Sequence, residues 1–192
     1  MLTRDEIIEI LKDTGALLTG HFLLSSGLHS DRYIQCAKVL QYPDLAEKLC
    51  SQLAEKVRDF NPDLVIGPAL GGVVAAYETA RALNKPGIFA ERKDGEMQIR
   101  RGFQINPGQR VLIVEDVVTT GGSVKEVLKK VKECGGEVVG VASLIDRSGG
   151  QANFEVPFKS LIALEVPVFK PEECSQCKEG IPVVKPGSRG QS

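Results

Sequence analysis

The stretch VLIVEDVVTTGGS, residues 111–123, joins an apolar run to two acids, two threonines and two glycines. A short continuous apolar run is typical of a buried strand. Ser123 and Glu126 have the spacing of a capping box, and the apolar residues after them recur with helical periodicity, so we expect a helix to begin at or just before Ser123. The stretch therefore predicts a strand, a tight loop and the N-terminus of a helix.

The loop of this stretch has the chemistry of an anion site. Glycines directly before a helix let backbone N–H groups converge on one point, and the helix dipole adds partial positive charge there. The hydroxyls of Thr119, Thr120 and Ser123 can donate hydrogen bonds as well. A phosphate monoester could be bound there without a lysine.

The two acids before the loop need a different partner. Glu115 and Asp116 would repel a phosphate unless they face another part of the ligand, and the vicinal hydroxyls of a ribose are suitable donors to carboxylates. We therefore interpret the stretch as a site for ribose 5-phosphate. It lacks the lysine of a P-loop and the spacing of a dinucleotide-binding turn. An acid-bearing strand end followed by a capped helix is the alternative.

The rest of the chain favours an α/β protein with a mostly parallel sheet covered by helices, because short apolar strands alternate with helical patterns. Ligands bind at the carboxyl ends of the strands in such sheets, which is where Glu115 and Asp116 lie. A hairpin or mobile loop rich in cations is predicted at 91–103. Strands are predicted at 64–66, 88–90, 110–115 and 137–145, and helices from Thr3, from Pro43, at 73–83 and at 123–134.

Composition limits the class of protein. A chain of 192 residues, 42% hydrophobic and 26% charged, is typical of one soluble globular domain. It has neither an apolar stretch near the roughly 20 residues that span a bilayer nor a signal-peptide pattern, so we expect a cytoplasmic protein without a membrane partner. The net charge of −1 gives no reason to expect nucleic-acid binding.

The five cysteines are an odd number, which favours reduced thiols over a disulfide framework. Cys174 and Cys177 form a C-x-x-C pair, which is half of a structural zinc site. No other cysteine or histidine pair has ligand spacing, so a zinc ion there would need a second subunit. The alternative is two thiols in an extended surface tail, predicted at 170–192.

The stretch at 111–123 resembles the phosphoribosyl-diphosphate (PRPP) motif of the type I phosphoribosyltransferases. FLLSSGLHSDRYIQC at 22–36, GPALGG at 67–72 and SLIDRSGG at 143–150 are similar, in the same order, to the orotate branch of that family. The resemblance implies the type I fold in a single domain, 1–192, with a small N-terminal hood at 1–40 and a PRPP-binding core at 60–150.

The resemblance also implies roles for individual residues. Orotate would contact Tyr33, Ile34, Thr119 and Arg147, and the catalytic residues would be Arg92, Lys93, Asp116 and Arg100. The implied PRPP contacts are Glu115, Asp116, Val117, Val118, Thr119, Thr120, Gly121, Gly122, Ser123, Leu70, Gly71, Arg92 and Lys93. The chain departs from many family members in having His29 and Gly71 where they carry lysines; His29 is then either a substituted site residue or a solvated turn residue.

The implied reaction is orotate plus PRPP giving orotidine 5'-monophosphate and pyrophosphate, in pyrimidine biosynthesis. Mg²⁺ would be held by PRPP and water, with no direct protein ligand, and the enzyme would be a homodimer in which Arg92 and Lys93 reach into the partner's site. Two alternatives stay open. One is a phosphoribosyltransferase for a purine base, and the other is a regulator that binds PRPP without catalysis.

Overall fold

The computed structural model describes residues 1–24 and 26–186, so the last six residues of the predicted tail lie outside it. The chain divides into two compact units. The core unit contains Met1–Leu2 and Leu40–Leu164, and the hood unit contains Thr3–Val39 and the chain from Glu165 onwards. The tail belongs to the hood unit.

Six helices and eight strands make up the described regions of the chain. The helices are α1 (Arg4–Asp13), α2 (Ala37–Leu40), α3 (Pro43–Val57), α4 (Gly71–Leu83), α5 (Gly122–Glu133) and α6 (Ser175–Lys178), with a 3₁₀ turn at Arg58–Phe60. The strands are β1 (Leu17–Leu23), β2 (His29–Ile34), β3 (Leu64–Pro68), β4 (Gly87–Lys93), β5 (Glu96–Ile99), β6 (Arg110–Val118), β7 (Glu137–Asp146) and β8 (Phe158–Ala163).

The core unit is built on a six-stranded sheet with the order β5-β4-β3-β6-β7-β8. All neighbouring pairs are parallel except β4 and β5, which form an antiparallel hairpin. The central strands β3 and β6 are almost wholly buried, as expected of a parallel sheet covered on both faces. The predicted mostly parallel sheet is therefore confirmed.

Helices cover both faces of this sheet. The apolar side of α5, including Val127 and Val131, packs in one cluster with Ile66 and Ile113. Successive strand residues point to opposite faces, so Gly67 faces the other side, where α4 approaches so closely that a Cβ on Gly67 would lie 2.7 Å from the Cβ of Ala76. This close approach requires glycine at position 67, the last residue but one of β3.

Several predicted boundaries change in the structure. Strand β6 runs to Val118, three residues beyond the predicted end, and β8 is an additional edge strand that was not predicted. The predicted hairpin at 91–103 exists as β4 and β5, joined at Asp94 and Gly95, which both have positive φ as a tight hairpin turn requires. The predicted helix start at or just before Ser123 is confirmed, because α5 begins at Gly122, but the capping-box role of Ser123 is wrong, because the N-cap is Gly121.

The hood unit consists of α1, the antiparallel pair β1 and β2, and the tail. Thr3 and Glu6 form the predicted capping box at the start of α1. The tail lies along the pair: β-bridges join Phe22 to Val184 and His29 to Phe169. No helix within residues 1–24 and 26–186 is both long and apolar enough to cross a membrane.

Candidate active site

A pocket of about 220 Å³ opens at the carboxyl end of β6. The sequence pattern placed the ligand site at this end of the sheet. The loop after β6 and the first turn of α5 form most of the wall, and Arg92 at the end of β4 closes one side. The residues that line it are Arg92, Glu115, Val117, Val118, Thr119, Thr120, Gly121, Gly122, Ser123, Val124 and Glu126.

One end of the pocket is the N-terminus of α5, and no side chain caps that helix. Gly121 serves as N-cap with φ 74°, a conformation that glycine adopts without steric cost. A Cβ at this position would lie 2.5 Å from the ring of Phe154. The first backbone N–H groups of α5 are therefore left for a ligand, and the helix dipole favours an anion there.

The acid pair lies on the other side of the pocket. The backbone N–H of Asp116 donates to Oε1 of Glu115 at 3.1 Å, and the N–H of Val117 donates to Oδ1 of Asp116 at 2.9 Å. These bonds fix both carboxylates at the end of β6. The end of β6 and the loop at residues 119–121 thus separate the acid pair from the uncapped helix N-terminus.

The loop between β3 and α4 packs directly against this pair. A Cβ on Gly71 would lie 2.7 Å from the Asp116 carboxylate, and a Cβ on Gly72 would lie 2.8 Å from Oε1 of Glu115. The Ala69–Leu70 peptide bond in this loop is cis. The structure therefore brings Gly71 and Gly72 beside the acid pair, and it explains why a larger side chain than glycine is absent at position 71.

Burial raises the pKa of Glu115 to about 9, and the negative charge of Asp116 adds to the rise. The Glu115 side chain is almost completely buried, whereas Asp116 is half-buried. Near neutral pH the Glu115 carboxyl therefore keeps its proton.

Replacing Glu115 by Gln is expected to stabilise the protein in alkaline solution. The raised pKa means that the folded state keeps a proton that the unfolded state releases, so wild-type stability falls as pH rises from the ordinary value of 4.5 towards about 9. Glutamine has no such titration. We expect E115Q to exceed the wild type by at least about 1 kcal/mol in unfolding free energy near pH 9, and by much less near pH 5.

Urea unfolding of both proteins at the two pH values measures this difference. Asp59→Asn is the control, because its ion pair with Lys159 lowers the pKa of Asp59, and its stabilisation is lost only as the solution becomes acidic. A stability difference between E115Q and the wild type that is equal at both pH values would contradict the raised pKa of Glu115.

The basic residues that were predicted to be catalytic do not all line the pocket. Arg92 lines the pocket, where its Nη2 donates to Oε1 of Glu126 at 2.7 Å and its Nη1 donates to the Gly95 carbonyl at 3.1 Å. Glu126 was not predicted as a site residue, since only the folded hairpin brings Arg92 to it. Lys93 lies exposed at the end of β4 and does not line this pocket.

Arg100 is turned towards the base of the hairpin. Its Nη1 lies 3.3 Å from Oε1 of Glu91, and Arg101 donates two hydrogen bonds to the same carboxylate. Neither arginine lines the pocket described above. A role for Arg100 in catalysis would need a movement of this hairpin, and it stays a prediction.

The predicted orotate contacts are divided between the two units. Arg147 directly follows β7, and its backbone N–H donates to the Val118 carbonyl at 2.8 Å, beside Thr119. Tyr33 and Ile34 lie at the end of β2 in the hood unit, where Tyr33 forms a tilted ring pair with Phe22. Contacts of Tyr33 and Ile34 with orotate stay predictions.

The structure corrects two expectations about the hood unit. His29 is not a solvated turn residue, because it is 6% exposed and lies in β2. Cys174 is buried and contacts His21, so the two cysteines are not simply thiols in a surface tail. His21 was not singled out from the sequence, where it lies more than 150 residues from these cysteines.

The known proteins that are similar to this chain are phosphoribosyltransferases, and the matches to full-length relatives cover nearly all of it. Residues 38–170 match the family described as the phosphoribosyl transferase domain. The chain is 60% identical over 188 residues to an orotate phosphoribosyltransferase of Caldicellulosiruptor bescii, covering 98% of this chain and 99% of that one. It is 54% identical over 184 residues to the orotate phosphoribosyltransferase of Thermotoga maritima, covering 96% and 98%.

Solved structures of orotate phosphoribosyltransferases also superpose on this chain, at lower sequence identity. The orotate phosphoribosyltransferase of Aeropyrum pernix superposes with a TM-score of 0.71 at 29% identity, over 82% of this chain and 93% of that one. The enzyme of Mycobacterium tuberculosis in complex with inorganic phosphate superposes with a TM-score of 0.69 at 28% identity, over 84% and 95%.

Proposed function

This chain belongs to the orotate phosphoribosyltransferase family, and from that membership we propose that it transfers the ribose 5-phosphate of PRPP to orotate. The products are orotidine 5'-monophosphate and pyrophosphate, as in the synthesis of pyrimidine nucleotides. The observation that carries the proposal is a pocket that joins the buried Glu115, next to Asp116, to an uncapped helix N-terminus.

Each end of the pocket binds one part of PRPP. The backbone N–H groups at the start of α5 and the hydroxyls of Thr119, Thr120 and Ser123 bind the 5'-phosphate. Glu115 and Asp116 accept hydrogen bonds from the 2' and 3' hydroxyls of the ribose. Val117, Val118, Gly121 and Gly122 shape the loop between the two ends.

Catalysis then depends on position and charge. The bond from C1' of the ribose to pyrophosphate breaks as C1' gains positive charge. The N1 ring nitrogen of orotate forms the new bond to C1' and releases its proton to solvent. Arg92 leaves Glu126 and binds the departing pyrophosphate, because a guanidinium binds phosphate oxygens with two parallel N–H groups. Lys93, Arg100 and the loop at Leu70 and Gly71 complete the proposed pyrophosphate contacts, and Asp116 stabilises the cationic ribose.

Mg²⁺ is proposed as the cofactor, bound mainly by the oxygens of PRPP and by water. The pocket offers carboxylate and hydroxyl oxygens and no sulfur or imidazole ligand among its described lining residues, which suits a hard cation. When bound, the ion neutralises negative charge on the pyrophosphate.

Orotate is the base that the charge of the site favours. Arg147 follows β7 next to the pocket loop, and its guanidinium can pair with the orotate carboxylate. Purine bases lack that carboxylate. Thr119, Tyr33 and Ile34 are proposed to contact the orotate ring.

We infer that the active form is a homodimer. Leu70, Val74 and Tyr77 expose their side chains at helical spacing on and just before α4, and such an apolar stripe is typical of a subunit interface. Replacing Tyr77 by Asp is expected to convert the dimer to monomers in sedimentation velocity. Tyr42→Asp, at another exposed tyrosine, should leave the dimer intact, and a wild-type monomer at micromolar concentration would contradict the inference.

The loss of orotate absorbance tests the reaction. Purified protein is mixed with PRPP, Mg²⁺ and orotate, with parallel assays on adenine, guanine, hypoxanthine and uracil. Consumption of orotate alone supports the proposal. Consumption of a purine would overturn the proposed role of Arg147, and PRPP binding without turnover on any base would favour a regulator. A cytoplasmic location is proposed together with this role.

A further inference from the structure

Two histidines and two cysteines of the hood unit meet at one point. His21 and His29 come from the paired strands β1 and β2, and the tail supplies Cys174, the N-cap of α6, and Cys177, within α6. Their potential ligand atoms all lie within 4.8 Å of one another. We call these four residues the His/Cys cluster. Neither the proposed reaction nor the PRPP pocket uses it.

The distances in the cluster suit a tetrahedral ion. Nε2 of His21 lies 2.8 Å from Nδ1 of His29, 3.4 Å from Sγ of Cys174 and 3.6 Å from Sγ of Cys177. Sγ of Cys177 lies 3.2 Å from Nδ1 of His29. Two nitrogens and two sulfurs around a zinc ion are separated by about 3.3 to 3.8 Å, so an opening of about half an ångström admits the metal.

The tautomer of His21 is set by its outer hydrogen bond. Nδ1 of His21 lies 2.7 Å from the Ile181 carbonyl oxygen, which can only accept, so Nδ1 carries the hydrogen. In the neutral ring Nε2 then presents a lone pair to the other three members of the cluster. A carbonyl that fixes the far nitrogen of a ligating histidine is the usual outer support of a metal site.

The backbone holds the two halves of the cluster together. The N–H of His29 donates to the Phe169 carbonyl, and the N–H of Phe169 donates back to the His29 carbonyl, both at 2.8 Å. The N–H of Val184 donates to the His21 carbonyl at 2.8 Å. Both histidines are therefore fastened to the tail on either side of the cysteines, and the four ligands are positioned before any metal binds.

Burial favours a metal over a solvated surface contact. His21, His29 and Cys174 are each less than 9% exposed, and Cys177 alone reaches the surface. Thiolate and imidazole ligands in a tetrahedral S₂N₂ set select Zn²⁺ over the hard cations that PRPP uses. Four protein ligands leave no open position, which is typical of a structural site.

We propose that the His/Cys cluster binds one structural Zn²⁺ ion, which fastens the tail to β1 and β2. The expectation that a zinc ion at Cys174 and Cys177 needs a second subunit is thereby replaced, because the same chain supplies both missing ligands. Metal binding of this kind adds directly to the stability of the segment that it closes. It does not depend on the proposed reaction.

Metal analysis of the full chain tests the site. The protein is produced without a metal-binding tag in zinc-supplemented medium, dialysed, and analysed for metal content by mass spectrometry. We expect one zinc per chain in the wild type and a loss of about tenfold or more in Cys177→Ser. Cys134→Ser is the matched control, since Cys134 is exposed and lies outside the cluster. A wild type without stoichiometric zinc, or an equal loss in C134S, would overturn the proposal.

A second measurement keeps the test valid if a variant folds poorly. Zinc is removed from the wild type with a chelator and replaced by Co²⁺, whose visible spectrum reports tetrahedral coordination and thiolate ligation. We expect the tetrahedral thiolate spectrum, and we expect the chelated protein to unfold at a lower temperature until metal is restored. An octahedral spectrum, or a Cys174–Cys177 disulfide in the protein as purified, would overturn the site.

Discussion

Arg92→Ala is expected to lower kcat about a hundredfold, because a charged donor aimed at the departing group is worth about two to three orders of magnitude in rate. The change should leave stability nearly intact. The side chain of Arg92 is about half exposed, and its ion pair with Glu126 is of the surface kind that contributes at most about 1 kcal/mol. Steady-state kinetics and thermal unfolding of the same preparation measure the two effects.

Two further variants make the result specific. Arg92→Lys keeps the charge but loses the planar fork, so only part of the rate should return. Arg58→Ala removes an exposed arginine that pairs with Glu55 away from the pocket, and its kcat should match the wild type. If R92A and R58A are equally active, Arg92 has no role in the transfer.

Mixing two inactive variants distinguishes action within one chain from action across a dimer. The family resemblance implies that Arg92 reaches into the partner's site, whereas its contact with Glu126 places it on the pocket of its own chain. Arg92→Ala and Asp116→Asn chains are mixed under conditions that exchange subunits. The shared site predicts a return to about a quarter of wild-type activity, and no recovery would show that Arg92 acts within its own chain.

Asp116→Asn is expected to lower kcat/KM for PRPP by about tenfold to a hundredfold. A hydrogen bond to a charged group contributes about 1.5 to 3 kcal/mol, and the replacement turns the proposed carboxylate acceptor of a ribose hydroxyl into a neutral amide. Stability should change little, because asparagine has a similar size and its side-chain oxygen can still accept the hydrogen bond from the Val117 N–H. Initial rates at varied PRPP and fixed orotate give the ratio.

The control for this change lies at the opposite end of the sheet. Asp63 accepts a backbone hydrogen bond from Arg110 at 3.0 Å, much as Asp116 accepts one from Val117 at 2.9 Å. Asp63→Asn therefore repeats the local chemistry without touching the pocket, and it should leave kcat/KM unchanged. Equal kinetics for D116N and D63N would refute the ribose contact.

Local patterns were sufficient to predict the central parallel strands and the end of the sheet at which the pocket lies. The residues before Glu115 form an uninterrupted apolar run, because both faces of β6 are covered. Such a run predicts a buried strand from the local sequence alone. The two glycines after Thr120 predicted backbone N–H groups at a helix N-terminus, and the structure has Gly121 as the N-cap of α5 with a positive φ.

Local sequence patterns gave wrong or missing predictions where a contact between distant parts of the chain determines the structure. The spacing of Ser123 and Glu126 fits a capping box, yet Glu126 pairs with Arg92, 34 residues away in the chain, and Ser123 lies inside the helix. The four members of the His/Cys cluster were equally hidden, because 153 residues separate His21 from Cys174. No sequence spacing predicts the contact between these histidines and cysteines, because the contact depends on where the folded tail lies against β1.

Phosphorus NMR of one reaction mixture tests the central claim most directly, since it follows PRPP, pyrophosphate and the nucleotide product together. With enzyme, orotate and Mg²⁺ present, we expect one pyrophosphate and one orotidine 5'-monophosphate to appear for each PRPP consumed, and no change without orotate. PRPP that remains intact, or that releases pyrophosphate equally fast without orotate, would contradict transfer of ribose 5-phosphate to orotate in this pocket.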